Sequence, residues 1–349
     1  MEAIEKEIRK TPYHKGTERH IGLLRAKIAR LRDEEIERNA KKSGGGGGYA
    51  VKKQGDATIV LVGPPSVGKS TLLNALTNAQ SKVAPYEFTT VSVIPGMMKY
   101  KNAYIQILDV PGLIQGAEEG KGRGREVLSV VRGADLLVIM TDQKYIKSFS
   151  SIQKALERNG IRINQRPGDI SIEKKLSGGI TVHSNLKNDV DNLTIKDIAN
   201  QFGIKNAEIA IRENLSIQQL IDSFSKNIVY TKALFVINKA DEIKNKHKYH
   251  DFVLISARDN NGLEGLKDQI WKMLDFSIVY LVKPDEQPNY DNPIVVKTKY
   301  KLKDVAEKIG NDFSLSKTMA KIWGPGSKYP GQEVPLNKSI QDGMQIRFI

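Results

Sequence analysis

Two hydrophobic rhythms divide the chain. In residues 2 to 42, rich in Glu, Lys, Arg, Ile and Leu, Ile21, Leu24, Ile28 and Leu31 recur at steps of three and four, which puts them on one helical face. Gly16, between Lys15 and Thr17, predicts a break between two helices. An amphipathic helix must bury its stripe against something, so the segment is predicted to be an antiparallel helical hairpin. Its charged face suits solvent as well as RNA or a partner. SGGGGG at 43 to 48 has too much backbone freedom to lose for a regular element, and reads as a linker or a close-packed loop.

From residue 57 the rhythm changes to strand, loop and helix. ATIVLVG, YIQILDV, ADLLVIM, KALFVIN and DFVLIS are short aliphatic and β-branched runs, most of them ending in a polar or glycine motif. Buried parallel strands have this composition, and ligand sites belong at their C-terminal ends. Residues 143 to 230 interrupt the alternation with ALERNGIRIN, GDISIEKKL, the glycine pair 178 and 179, and LTIKDIANQFG, which predict an inserted α+β module. Residues 290 to 349 read as a last unit with strands PIVVKTKY and MQIRFI and the helix KLKDVAEKIG. The proline-bearing KPDEQPNYDNP before it reads as a linker.

Composition narrows the classes. With 349 residues and 40% hydrophobic content the chain can hold two or three globular domains. Cysteine is absent, which excludes disulfides, thiolate metal sites and cysteine nucleophiles. MEAIEKEIRK mixes charges where a signal peptide needs an apolar core, and no apolar run reaches the ~18 residues of a membrane span. The expectation is a cytoplasmic monomer with no membrane contact. A net charge of +14, spread along the chain, favours a polyanionic partner, with plain solubility as the competing reading.

The chemistry sits at the predicted strand ends. GPPSVGKS, Gly63 to Ser70, matches the phosphate-binding G-x-x-x-x-G-K-[ST] loop between a strand and the helix STLLNALT. The nucleotide-binding set is Gly63, Pro64, Pro65, Ser66, Val67, Gly68, Lys69, Ser70 and Thr71. Backbone N–H groups and the helix N-terminus bind phosphates, Lys69 neutralises the β and γ oxygens, and Ser70 offers its hydroxyl to Mg²⁺. Forty residues after Lys69, Asp109 opens D-V-P-G. Its carboxylate can hold Mg²⁺ through water, and the Gly112 N–H can reach the γ-phosphate. In APYEFTTVSVIPG, 84 to 96, a switch threonine is expected with its hydroxyl on Mg²⁺; Thr90 is preferred and Thr89 is the alternative. The catalytic set is therefore Lys69, Thr90, Asp109 and Gly112, and the metal set Ser70, Thr90 and Asp109.

The base is read by NKAD, Asn238 to Asp241, after KALFVI. Guanine presents N1–H and N2–H₂ donors that one carboxylate, Asp241, can accept together; adenine would leave it unpaired. Asn238 and Lys239 brace the loops, and Lys239 can cover the base. Ser256, Ala257 and Arg258 follow DFVLIS and place a backbone N–H near guanine O6. Asp109 and Asn238 are 129 residues apart, more than the one or two βα units a minimal Ras-like domain needs there, which fits the inserted module.

GGGGG, GPPSVGKSTLLNALTN, YEFTTVSVIPG, LDVPGLIQGAEEGKGRGREVL and NKAD together resemble the Obg superfamily of translation-factor GTPases, and within it the DRG group, the developmentally regulated GTP-binding proteins and their archaeal relatives. PIVVKTKYKLKDVAEKIGNDF and WGPGSKYPGQEVPLNKSIQDGMQIRFI resemble a TGS domain, a ubiquitin-like β-grasp. The resemblance implies an α/β architecture. A helical hairpin and Gly-rich linker occupy 1–48, a P-loop Ras-like GTPase domain 57–142 and 231–285, an inserted α+β module 143–230, and a TGS domain 290–349. It also implies GTP and GDP as ligands, Mg²⁺ as cofactor, ribosomes, rRNA or tRNA as partners, and a stabilising protein partner. Relatives that use K⁺ carry Asn where this chain has Ser66, whose oxygen reaches a cation less well, so K⁺ is an open cofactor.

One position departs from Ras. The glutamine that orients water there is Leu113 here. Slow intrinsic turnover is expected, raised by a cation, a partner or the basic run Lys121, Arg123 and Arg125 in GKGRGRE; a solvated loop and an RNA contact are the other readings of that run. Two function classes follow: a GTP-driven switch on ribosomes or RNA, and a nucleotide-stabilised scaffold with negligible turnover.

Overall fold

The computed structural model describes residues 1–42, 54–77, 84–85, 92–110, 123–184, 186 and 189–349. Two compact units divide the chain, Met1–Gly48 with Leu156–Tyr230, and Tyr49–Ala155 with Thr231–Ile349.

The second unit begins with strand β1 (Ala57–Val62), then β2 (Ala84–Pro85), β3 (Ser92–Tyr100), β4 (Ala103–Asp109) and β5 (Leu136–Thr141). The chain next enters the first unit through β6 (Ile161–Ile163), β7 (Ile170–Lys174), β8 (Ile180–Ser184) and β9 (Ala207–Ile211), and returns as β10 (Val229–Ile237) and β11 (Val253–Leu254). The nucleotide sheet runs β11-β10-β5-β1-β4-β3-β2. β1 is parallel to β4 and β5, and β10 to β5 and β11, while β3 is antiparallel to β4. All six residues of β1 and of β5 are buried, which is why both read as unbroken apolar runs. Ile59, Leu61, Val138 and Met140 pack with Leu72 and Leu73 of the helix Lys69–Thr77 and with Leu266 and Ile270 of the helix Leu263–Met273.

In the first unit the predicted hairpin forms from the helices Glu2–Lys10 and Glu18–Lys42, joined by the ion pair Arg32 to Glu5 at 2.9 Å. The longer helix buries Ala26, with Leu23 and Ala29, among Ile195, Ile198 and Leu220 of the inserted segment. A Cβ on Gly22 would stand 3.3 Å from Ile217, so the absence of a side chain sets that approach. Hairpin and insert therefore share one core, which also covers a face of the three-stranded sheet β7-β9-β8. This unit takes the chain from Leu156, so the boundary at 143 moves inward; residues 143–155 stay with the nucleotide unit.

A five-stranded sheet follows: β12 (Phe276–Leu281), β13 (Pro293–Lys297), β14 (Met319–Trp323), β15 (Gln332–Pro335) and β16 (Gln345–Phe348), in the order β13-β12-β16-β14-β15. β12 is parallel to β16 and its other pairings are antiparallel, with the helix Leu302–Ile309 between β13 and β14, the arrangement of a β-grasp. Leu302, Val305 and Ala306 of that helix pack on Val296, Ile322 and Ile346. Its first strand lies inside the 231–285 range read as GTPase domain. KPDEQPNYDNP is accordingly the loop of the β12–β13 hairpin, its turn held by Lys283 to Glu286 at 2.8 Å, and does not link two domains. Among the described residues no helix is long and apolar enough to cross a membrane.

Candidate nucleotide-binding site

β1 runs directly into the phosphate loop. A Cβ on Gly63 would lie 2.1 Å from the Met140 carbonyl oxygen, and one on Gly68 2.4 Å from Asn238 Nδ2, so both places admit glycine alone. Gly68 and Ser66 take left-handed backbone angles, φ 92° and 61°, and bend the chain back on itself as an anion nest requires. Pro65 and Ser66 are exposed, while Pro64 and Val67 are buried beneath. Lys69 Nζ arcs over the loop and donates to the carbonyls of Gly63, 3.1 Å, and Pro64, 2.9 Å. Burial holds its pKa below the usual lysine range, opposed by the Asp109 carboxylate. Such an ammonium gains from an added anion.

β4 carries Asp109 to the same end, in register with Leu61 of β1. Asp109 is 4% exposed. Its Oδ2 accepts from Ser70 Oγ at 2.5 Å, while its Oδ1 is buried without a hydrogen-bond partner among the described residues. A buried carboxylate oxygen left unpaired is costly, and a carboxylate beside a serine hydroxyl is the hard oxygen pair that Mg²⁺ takes together with water and phosphate. The residues fit that ion.

β10 supplies the NKAD loop, expected to read the base, beside them. Asn238 is buried; its Nδ2 donates to the Val67 carbonyl at 2.9 Å and its Oδ1 accepts from the Ala257 N–H at 2.9 Å. One side chain thus ties the phosphate loop to the loop after β11, and of the 256–258 stretch it takes up the Ala257 N–H. Lys239, at φ 58°, donates Nζ to Asp142 Oδ2 at 2.8 Å, a bond that raises the lysine's pKa. Asp241 is exposed. Ser256 Oγ donates to Asp259 at 2.9 Å, folding the loop around the exposed Arg258. Thr71 is exposed on the first turn of the helix Lys69–Thr77.

Thr89, Thr90, Gly112, Leu113 and Lys121 lie outside the described residues, as do the side chains of Arg123 and Arg125, whose backbones open the helix Arg123–Gly133. Asp142 was missed from the sequence. It is 3% exposed, and besides holding Lys239 it accepts from the N–H groups of Lys144, 3.1 Å, and Tyr145, 3.2 Å. The available signal was its place directly after the run ADLLVIMT, at the strand end where every other motif sits.

Residues 58–174 match the family model described as 50S ribosome-binding GTPase, and 177–276 the model described as the C-terminal region of the MMR_HSR1 domain. The chain is 44% identical, over 97% of its length and 89% of the relative's, to an uncharacterized GTP-binding protein of Methanocaldococcus jannaschii. The human developmentally-regulated GTP-binding protein 2 is 37% identical over 99% of this chain and 97% of its own. The chain belongs to the DRG family. A further relative, an uncharacterized GTP-binding protein of Halobacterium salinarum, is 39% identical over 100% of this chain and 98% of its own. DRG membership makes the chain a GTP-binding protein with a GTPase domain.

Proposed function

We propose that this DRG protein hydrolyses GTP to GDP and phosphate slowly, with Mg²⁺, and acts as a conformational switch on ribosomes or RNA in the cytoplasm. The observation that supports the reading most directly is the Asn238 amide, which fixes the phosphate loop and the base loops in one frame. A bound Mg²⁺ would offset the charge of the nucleotide's phosphates. Ser70 and Asp109 would hold it, Asp109 through water, and the unpaired Oδ1 of Asp109 is the group such a water satisfies. Lys69 would exchange its two carbonyl partners for the β and γ oxygens. Asp241 would accept both guanine donors, and Lys239 would lie over the base, held by Asp142. Thr90 and the Gly112 N–H would sense the γ-phosphate and release their segments once it leaves. The net charge of +14 and the 50S-binding description of the matching family support a ribosomal partner. The β-grasp unit is read as a TGS domain.

Leu113 cannot orient water by hydrogen bonding, so turnover without a partner is expected at ~10⁻⁴ per second or slower, the unassisted Ras range. Single-turnover GTP hydrolysis measures it, and chelating Mg²⁺ should abolish it. A partner-free rate of about 1 per second would contradict the reading, because a fast site would need a water-orienting group in place. Leu113→Ala should leave the slow rate nearly unchanged. Complete loss of hydrolysis, with nucleotide affinity and folding intact, would show that Leu113 itself acts in the chemistry.

A further inference from the structure

The two loops that leave β5 and β10 beside the base-reading motif carry a set of lysines that the nucleotide reading does not use. Ile237 of β10 stands in register with Thr141 of β5, the Asn238 N–H donates to the Thr141 carbonyl at 2.8 Å, and Lys239 grips Asp142. Farther out, Phe149 stacks on Phe252 with ring centroids 5.1 Å apart and planes 10° apart, and meets Phe235 edge-on at 5.3 Å. The loops are therefore pinned together at both root and shoulder.

Between those pins, the first loop exposes Lys144, Tyr145 and Lys147, and the second exposes Lys244, Lys246 and Lys248. Among the described residues none of these five ammonium groups has an ion-pair or hydrogen-bond partner. The acids alongside are Glu242, Asp251, the latter 3.2 Å from His250, and Asp241, which lies within electrostatic reach of Lys246. Ile243 is buried and anchors the second loop, whose turn Lys246–Tyr249 holds consecutive basic residues outward. Tyr145 is 51% exposed beside them.

We infer that these paired loops form an RNA-docking surface at the guanine end of the site, with the lysines on phosphates and Tyr145 as a stacking platform. Unpaired lysines held on a pinned frame release counterions from a polyanion without first breaking protein contacts. An exposed aromatic ring among them adds a π face that a nucleic acid can use and an acidic peptide or lipid headgroup cannot stack upon. The loops share Asp142 and Lys239 with the proposed nucleotide site, and Lys144, two positions from Asp142, donates its N–H to that carboxylate, so RNA bound there would lie next to the proposed base-holding pair. The inference rests on the ribosome or RNA function proposed above, and gives it a location.

The test uses full-length protein loaded with a non-hydrolysable GTP analogue, and a fluorescein-labelled ribosomal RNA hairpin titrated across a salt series. Replacing Lys144, Lys147, Lys244, Lys246 and Lys248 by Ala should weaken binding at least about a hundredfold near 0.1 M salt and lower the log–log salt slope by about 3 to 4. A control with Lys15, Lys205, Lys272, Lys299 and Lys328 replaced instead loses the same charge elsewhere and should keep most of the affinity and slope. Fluorescent GDP binding and melting temperature should stay unchanged in both. If the loop variant matches wild type, or both variants weaken equally, the surface is wrong while the ribosome reading stands. If wild type binds neither this RNA nor ribosomes, both fall. Lysine-dependent binding to polyglutamate or to phosphatidylserine vesicles, with none to RNA, would overturn the choice of partner.

Discussion

Asn238 uses both ends of its amide to join loops that come from distant parts of the chain, accepting from Ala257 and donating to Val67. Asn238→Ala would leave a buried N–H and a buried carbonyl unpaired, at about 1–3 kcal/mol each. The expected result is a fall in stability of ~2–4 kcal/mol in urea unfolding together with weaker GDP and GTP binding; an unchanged midpoint would mean that the loops hold themselves. Asp241 is proposed to act one step farther out, on the base. Asp241→Asn exchanges one acceptor for a donor, which suits the C2 carbonyl of xanthine and opposes the guanine amine. Competition against fluorescent GDP should show GTP affinity falling by about a hundredfold or more while that for XTP rises, and equal loss for both bases would show that the side chain supports the loop and does not read the base. The motifs were legible because their residue types are dictated by phosphate and guanine. The Asp142 to Lys239 bond was not, since a single aspartate at a strand end names no partner until two strands are known to be neighbours.

At the scale of elements, the inserted segment is locked by a buried ion pair. Arg162 of β6 donates to both oxygens of Asp222 on the helix Ile217–Phe224 at 2.6 and 2.8 Å, with side chains 8% and 3% exposed, and Gln218 adds a bond to Asp222 at 2.8 Å. Removing one partner strands the other charge in the interior. Asp222→Ala is therefore expected to destabilise this unit by about 3–5 kcal/mol, whereas the double replacement of Arg162 by Met and Asp222 by Leu should cost far less. Urea unfolding followed by circular dichroism checks both, and a single variant within 1 kcal/mol of wild type would contradict the account. The strands of the nucleotide sheet were readable because buried parallel strands are continuous apolar runs with chemistry at one end. The hairpin's partner was hidden, because an amphipathic stripe states that something covers it and not what; Ala26 meets Ile198 only after the whole nucleotide half of the chain has intervened. FSIVYL, β12, falls inside the 231–285 range read as GTPase domain, and only its pairing with the distant β16 assigns it to the five-stranded C-terminal sheet.

Across the whole molecule, the reading is a nucleotide-dependent change in affinity for a large polyanion. The charge of +14 alone predicts binding to ribosomes in any nucleotide state, with a steep salt dependence. A switch adds a difference between states, and a ligand shifts an equilibrium only by its differential affinity for the two forms. The residues that carry the Mg²⁺ and γ-phosphate assignments, Lys69, Ser70, Thr90 and Asp109, have no purpose in a scaffold that holds nucleotide only for stability. Co-sedimentation with purified ribosomes at fixed salt, once with GDP and once with a non-hydrolysable GTP analogue, tests this most directly. The switch predicts at least about tenfold tighter binding in the GTP-analogue state, a coupling of ~1.4 kcal/mol; equal binding in the two states would contradict it and leave the scaffold.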